Sequence, residues 1–330
     1  MKDGKWNIVG GWYIQSDNNM PCGETFARHA LYSQRFYKEN FGVTCKTGYT
    51  VDSFGHNANL PQLLKLGGME NFVFMRPGEH ENPDLPPLFW WTSADGSKVL
   101  TYKITAGHYA TYNDAAVEEK TNALRDAAKK DGNKYDLMCF YGVGNHGGGP
   151  TKRMLTKIDE LKKKGADIKY SCPDEYFDTV RKQKPVIKEI AGELQMHAIG
   201  CYSVAGHIKA AQRKAEVMLI KAEKLNFMAQ KLTGAAAENG RIQDAYKRLL
   251  FNTFHDIMCG CSIKDGLDAA MNEYAYAIFE AREIIDNAVI DISKNVDTMI
   301  EGYENFGKSE FVLWEEEDKG VPVMIFNTAI

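Results

Sequence analysis

Between residues 43 and 185, short apolar runs rich in β-branched residues alternate with amphipathic stretches. The apolar runs predict strands at residues 43–51, 71–75, 98–105, 135–143 and 167–171. The amphipathic stretches predict helices at residues 60–66, 152–164 and 174–182. Alternation of strand and helix favours parallel βα units, arranged either as a barrel or as a doubly wound sheet.

Polar side chains follow three of the predicted strands, at the point where each strand ends. They are Asp52, Arg76 and the pair Asn145 and His146. In parallel α/β folds the carboxyl ends of the strands meet at one edge, where active sites are built. The sequence therefore predicts one functional site at this edge.

The pattern changes after residue 190. Apolar residues recur at steps of three and four through residues 208–232, the spacing of a buried helical stripe. A second helix is predicted at residues 241–257, and a third begins with Ser262 as N-cap and Asp265 three residues later. Three long helices with short connections favour a bundle. Residues 310–314 and 321–326 resemble the first strands of a β domain.

Composition limits the classes of partner. A chain of 330 residues favours two or more domains. The net charge of −4 gives no reason to expect nucleic acid or an anionic membrane as a partner, and no apolar stretch is long enough to cross a bilayer. Seven scattered cysteines and no signal-peptide pattern make a cytoplasmic location the default expectation. A homo-oligomer is left open.

Two segments allow both a functional and a structural interpretation when each is considered by itself. In VDSFGHNANLPQ (51–62), Asp52 is either a nucleophile, base or metal ligand, or a cap for the following helix. Arg76 either orients such a carboxylate or makes a structural ion pair. The glycines of YGVGNHGGGPT (141–151) allow close approach to a ligand, or a tight turn into the next helix. A phosphate cradle would need a Gly-Lys-Ser/Thr ending, which the segment lacks.

In NTFHDIMCG (252–260), His255 and Asp256 are predicted to lie in the last turn of a helix. A histidine there is either a cap or core residue, or a metal ligand. A carboxylate near a helix C-terminus opposes the helix dipole, so Asp256 suggests a specific partner such as a cation or a sugar hydroxyl.

Taken together, these segments resemble glycoside hydrolase family 38 α-mannosidases. The resemblance also rests on GGWYIQSDNNMPCGE (10–24), ELQMHAIGCYS (193–203) and NTFHDIMCGCSI (252–263), which occur in the order seen in the family. It implies a seven-stranded β/α barrel, a three-helix bundle and β-sandwich domains. The expected boundaries are residues 1–188 for the barrel portion, 189–295 for the bundle and 296–330 for the start of the β-sandwich.

The resemblance also implies the chemistry, which is retaining hydrolysis of α-linked mannose in oligosaccharides with the help of one zinc ion. By resemblance, Asp52 is the nucleophile and a zinc ligand, and His255 is a second zinc ligand. The residues expected to bind the substrate are Phe54, Arg76, Asn145, His146 and Asp256.

Two departures from the family pattern shape the expectation. Family members supply two further zinc ligands from an N-terminal strand with a His-x-Asp pair, and no such pair precedes Gly10. The chain is therefore expected to be a fragment truncated at both ends, with a weakened or empty metal site and weak activity alone. Asn145 stands where relatives often carry an aspartate, and an amide cannot act as an acid. Asp17 is the candidate acid/base.

Two other functions compete with hydrolysis. The first is a non-catalytic carbohydrate-binding relative, which Asn145 and the missing strand would allow. The second is a metal-dependent deacetylase-like barrel, which also places Asp and His at strand ends. The lack of a local Asp-Asp with a His-x-x-x-His pattern argues against this second alternative.

Overall fold

A computed structural model describes residues 6–130, 135–144, 147–297 and 323–328. The first half of the chain forms α1 (Gly23–Phe41), β1 (Thr47–Thr50), α2 (Leu60–Leu66), β2 (Asn71–Phe74), β3 (Leu88–Thr92), β4 (Lys98–Lys103) and α3 (Asp114–Lys130). The second half forms α4 (Lys152–Lys163), α5 (Pro173–Gln183), β5 (Glu189–Ala191), a 3-10 helix (Ile199–Ser203), α6 (Gly206–Thr233), α7 (Asn239–Phe251), α8 (His255–Met258) and α9 (Lys264–Ser293). Within these ranges, no helix has the length and hydropathy that a membrane span requires.

The five strands form one mixed sheet in the order β1–β2–β4–β3–β5. The strands β1, β2 and β4 are parallel neighbours, with Thr50 opposite Phe74 and Phe74 opposite Lys103. The carboxyl ends of these three strands therefore lie at one edge, as the sequence predicts. The strand β3 is antiparallel to β4 and parallel to β5, so the sheet departs from an all-parallel arrangement.

Helices cover both faces of the sheet because the strands are apolar on both sides. On one face, Phe26 of α1 and Leu60 of α2 belong to the core that contains Phe72 and Phe74. The opposite face packs against α5, and the core there includes five completely buried residues, namely Val73, Leu100, Tyr102, Phe177 and Val180. This rigid two-sided core fixes the edge where β1, β2 and β4 end.

Two predicted strands are wrong. Residues 135–143 pack their apolar side chains on the second core, but the described part of the segment joins no ladder. Side chains bond to its backbone instead, including the Tyr102 hydroxyl, which accepts from the Met138 amide at 3.0 Å and donates to the Met138 carbonyl at 3.2 Å. The Tyr176 hydroxyl and the Lys120 ammonium likewise donate to the carbonyls of Asp136 and Phe140. Residues 167–171 are mainly exposed, so no buried face drives them to pair.

The helix predicted at residues 241–257 is confirmed over residues 241–251, but its end is wrong, since α7 ends at Phe251. The helix ends there because Thr253 forms hydrogen bonds that do not continue the helix. Its hydroxyl donates to the Leu250 carbonyl at 2.6 Å, and its own carbonyl accepts from the Asp17 amide at 2.9 Å. A new helical turn, α8, then begins at His255.

The sequence analysis also missed four elements, namely α1, α3, β3 and β5. Two of them had a recognisable signal. Asn113 caps α3 through a bond from the Ala116 amide to its Oδ1 at 2.8 Å, and β3 is an aromatic run after two prolines. The predicted helix at 60–66 is confirmed, and those at 152–164 and 174–182 are confirmed to within one residue at each end.

The chain divides into two compact units, residues 1–212 with 250–271, and residues 213–249 with 272–330. In the second unit, α6 and α9 share an apolar core that includes Leu225 and Ala288. Arg241 of α7 pairs with Glu280 of α9 at 2.6 Å. The predicted barrel, bundle and domain boundaries stay predictions, and residues 310–314 lie outside the described ranges. Residues 323–328 form no strand.

Candidate active site

A short strip of backbone, residues 15–18, joins two segments that are far apart in sequence. On one side, Ser16 pairs with Phe254, and the Asp17 amide donates to Thr253. On the other side, Asn18 pairs with His56, and the Ser53 hydroxyl donates to the Ser16 carbonyl at 2.6 Å. The strip therefore brings the segment after β1 and the start of α8 to one place within the first unit.

Asp52 and Arg76 meet at the edge where β1 and β2 end. The Arg76 Nη2 donates to Asp52 Oδ1 at 3.3 Å, and about a quarter to a third of each side chain is exposed. The Asp52 amide donates to Gln15 Oε1 at 2.9 Å. A carboxylate held in this way is oriented and open to a ligand from one side.

Arg76 is itself held by a chain of side chains. Its Nη1 lies 3.0 Å from His197 Nε2, and because a guanidinium only donates, this nitrogen accepts. His197 Nδ1 must then carry the proton and donate to Glu81 Oε1 at 2.7 Å. Burial alone would raise the pKa of Glu81, but hydrogen bonds from the Gly78 amide and His197 outweigh it and lower that pKa. Glu81 thus stays ionised and fixes the tautomer of His197.

His255 is buried, and its ring is oriented by the strip. The Nδ1 atom lies 2.8 Å from the Gln15 carbonyl, which only accepts, so Nδ1 donates and Nε2 keeps its lone pair. The Phe54 ring lies 6.2 Å from the His255 ring and meets the His197 ring edge-on at 5.2 Å. The Phe54 ring therefore lies near the rings of both histidines. Its expected role in a sugar subsite stays a prediction.

Asp256 lies in the first turn of α8, so the predicted position in the last turn of a longer helix is wrong. A carboxylate in a first turn does not oppose the helix dipole, so the dipole gives no reason to expect a ligand at Asp256. The carboxylate is 46% exposed and lies 3.9 Å from His255 Nε2. The Cys261 thiol donates to its Oδ1 at 3.4 Å. Asp256 therefore remains accessible beside His255.

Asp17 is completely buried. Its Oδ1 accepts from the amides of Asn19 and Met20 at 2.9 and 2.7 Å. Its Oδ2 accepts from the Tyr202 hydroxyl at 2.8 Å and from the Cys259 thiol at 3.5 Å. A carboxylate with both oxygens committed to interior donors is not placed to exchange protons with a substrate. The geometry favours a structural role for Asp17 over the acid/base role.

The glycine-rich segment is described only in part, because Asn145 and His146 lie outside the described residues. The Gly142 amide and carbonyl both bond to Thr111, at 3.0 and 2.8 Å. The Val143 amide donates to the Gly149 carbonyl at 3.0 Å. These bonds fix only the described ends of the segment, so the two interpretations of its glycines stay predictions.

The donor types at this site suit zinc, since His255 offers an imidazole nitrogen and Asp52 a carboxylate oxygen. Catalytic zinc is held by three protein ligands as a rule. Across the described ranges, no group of three His, Cys, Asp or Glu residues is placed to hold a metal ion. The two residues alone therefore do not make a complete zinc site.

Sequence analysis missed several residues of this site. Gln15, Glu81 and His197 are ordinary polar residues in sequence, and only the fold brings them to Asp52 and Arg76. His108, which follows β4 at the same edge, was also missed. Burial lowers its pKa, and the charges of Asp52 and Arg76 act on it in opposite directions. One usable signal was its position after the third parallel strand.

Comparison with known proteins identifies the family. The model described as the N-terminal domain of glycosyl hydrolases family 38 matches residues 1–198, more than half of the chain. The chain belongs to glycoside hydrolase family 38. The model of the α-mannosidase middle domain matches residues 195–292. The resemblance drawn from the motifs is confirmed.

Similar proteins include α-mannosidase G of Dictyostelium discoideum, which is 29% identical over 88% of this chain and 27% of its own length. Alpha-mannosidase 2C1 of Mus musculus is 29% identical over 82% of this chain and 26% of its own length. The chain thus spans about a quarter of these relatives. The crystal structure of an α-mannosidase from Enterococcus faecalis V583 matches with a TM-score of 0.77 at 24% identity, over 91% of this chain and 36% of that one. This last match shows a shared fold.

Proposed function

We propose that the chain carries the nucleophile and part of the sugar and metal site of a retaining α-mannosidase. The observation that supports this most is the pairing of Asp52 with Arg76, together with the Phe54 ring, which lies near the rings of both His197 and His255. Membership of family 38 and the names of the relatives fit the same activity. The substrate is a mannose-containing oligosaccharide.

In this proposal the Asp52 carboxylate attacks the anomeric carbon while the glycosidic C–O bond breaks, and the departing oxygen takes a proton from a general acid and leaves as an alcohol. Water then hydrolyses the mannosyl ester, which releases mannose with overall retention and frees the carboxylate. Arg76 holds the carboxylate turned toward the sugar. Phe54 stacks on the apolar face of the ring, and Asp256 accepts hydrogen bonds from its hydroxyls. Each role uses a contact or an exposure that the described residues provide.

The metal part of the proposal concerns His255 and Asp52, with the remaining ligands supplied from outside the described residues. A zinc ion held there would give the cis 2- and 3-hydroxyls of mannose a common binding point, which epimers without that pair lack. His255 is suited to this role because its Nε2 lone pair is kept available by the Nδ1 bond to Gln15.

The test measures zinc content and hydrolysis of an aryl α-mannoside, for this chain and for the full-length protein encoded by its gene. Asp52→Asn should abolish hydrolysis. Asp95→Asn is the matched control, because Asp95 is an exposed turn residue bonded to Ser97. Equal activity of wild type and Asp52→Asn would refute the nucleophile. Mannose binding without turnover in the full-length protein would favour the non-catalytic carbohydrate-binding alternative.

A further inference from the structure

Gln15 contacts both Asp52 and His255, and it uses a different group for each. Its side-chain Oε1 accepts from the Asp52 amide at 2.9 Å. Its main-chain carbonyl accepts from His255 Nδ1 at 2.8 Å and from the His255 amide at 3.4 Å. One residue therefore contacts the residue after β1 and the residue that begins α8, which are 203 positions apart in sequence.

The chemistry of the partners fixes the orientation of the Gln15 amide. A backbone N–H only donates, so the atom that faces Asp52 must be the carbonyl oxygen of the side chain. The same logic makes His255 Nδ1 the donor toward the Gln15 main chain. Moving Gln15 would thus disturb the backbone of Asp52 and the ring of His255 together.

We propose that Gln15 is a positioning residue that holds the Asp52 backbone and the His255 ring in one arrangement for catalysis. The neighbouring strip supports this, because Ser16 and Asp17 are tied to the same two segments through Ser53 and Thr253. Those bonds set the distance between the segments, and the Gln15 side chain then sets the direction of the Asp52 peptide. The inference rests on the proposed function.

The experiment compares Gln15→Met with Gln34→Met in the full-length protein. Methionine keeps the length of the side chain and removes the acceptor. Gln34 is equally half-buried and bonds to Cys45 and Gly67, at the opposite end of β1 from Asp52. The readouts are amide hydrogen exchange of peptides covering residues 51–54, zinc affinity by chelator competition, and kcat and KM on an aryl α-mannoside.

Gln15→Met is expected to speed exchange at residues 51–54 and to lower kcat by about five- to tenfold, with a smaller change in KM. Zinc affinity should fall as well. Gln15→Glu keeps an oxygen acceptor and should restore the amide protection. Gln34→Met should leave these three readouts at wild-type values, even where it lowers the melting temperature.

If the wild-type protein is active and Gln15→Met shows the same amide exchange rates and the same kcat, the positioning role is overturned. Equal effects from Gln34→Met would overturn it too, since the role would then be merely structural. A wild-type full-length protein without hydrolysis would instead contradict the proposed function, and the exchange data alone would still report whether Gln15 holds the Asp52 peptide.

Discussion

His29 and His56 are completely buried histidines, and burial lowers the pKa of each from 6.5 to about 3. Neither is charged in the folded chain at neutral pH. The His29 Nε2 lies 3.0 Å from the Thr253 hydroxyl, which gives its own proton to a carbonyl, so Nε2 is the donor. The His56 ring packs edge-on against Phe72 and Phe74 at 5.2 Å.

The sign of the pH effect follows from which state binds the proton. Below pH 6.5 the unfolded chain protonates both histidines, whereas the folded chain resists protonation until about pH 3. The contribution of the two neutral histidines to the free energy of unfolding is therefore complete above pH 6.5, and it falls as the pH falls. With these values, each histidine costs about 2 kcal/mol of unfolding free energy at about pH 5, or about 4 kcal/mol for the pair.

The assay is urea unfolding between about pH 8 and 5, followed by tryptophan fluorescence. Trp12 lies 6.5 Å from His29 and Trp91 lies 6.2 Å from His56, so both probes report on the same core. His29→Gln and His56→Gln should each flatten the pH dependence by about 1.4 kcal/mol per pH unit below 6. Curves for the variants that run parallel to wild type would refute the reasoning.

Three further predictions concern the site. Arg76→Lys should lower kcat/KM at least about tenfold while circular dichroism shows an unchanged fold, because a lysine cannot bond Asp52 and His197 at the same time. Activity within about twofold of wild type would contradict this. Asp256→Ala should raise KM about tenfold or more with a smaller effect on kcat, since it removes a charged acceptor for sugar hydroxyls, and an unchanged KM would count against that role. Gly55→Ala should lower the melting temperature by several degrees, because φ is +98° and the new Cβ would lie 2.9 Å from the Leu194 carbonyl oxygen; a melting curve that matches wild type would disprove this.

Sequence reasoning predicted well where one local pattern decides the structure. The strands β1, β2 and β4 are buried on both faces, so their apolar runs are visible, and Asp52 and Arg76 follow the first two directly. The same reasoning failed where a distant group replaces a local partner. Met138 illustrates this, because the Tyr102 hydroxyl takes both of its backbone bonds.

The site was predictable only in its motif residues, for the same physical reason. Gln15 and His197 also stand in segments that carry the resemblance, but their contacts span 37 to 240 positions of sequence, and no local pattern predicts them. Asp17 shows what sequence does not reveal. It is a candidate acid/base because Asn145 cannot donate a proton, and its burial among four donors is visible only in the fold.

The central claim is that Asp52 attacks the sugar, and the most direct measurement is covalent trapping. The full-length protein is incubated with a 5-fluoro-mannosyl fluoride, digested and analysed by peptide mass spectrometry. The account predicts a mannosyl adduct on the peptide that contains Asp52, absent in Asp52→Asn and present in Asp95→Asn. Turnover of an aryl α-mannoside with the label on another residue, or with no label, would contradict it.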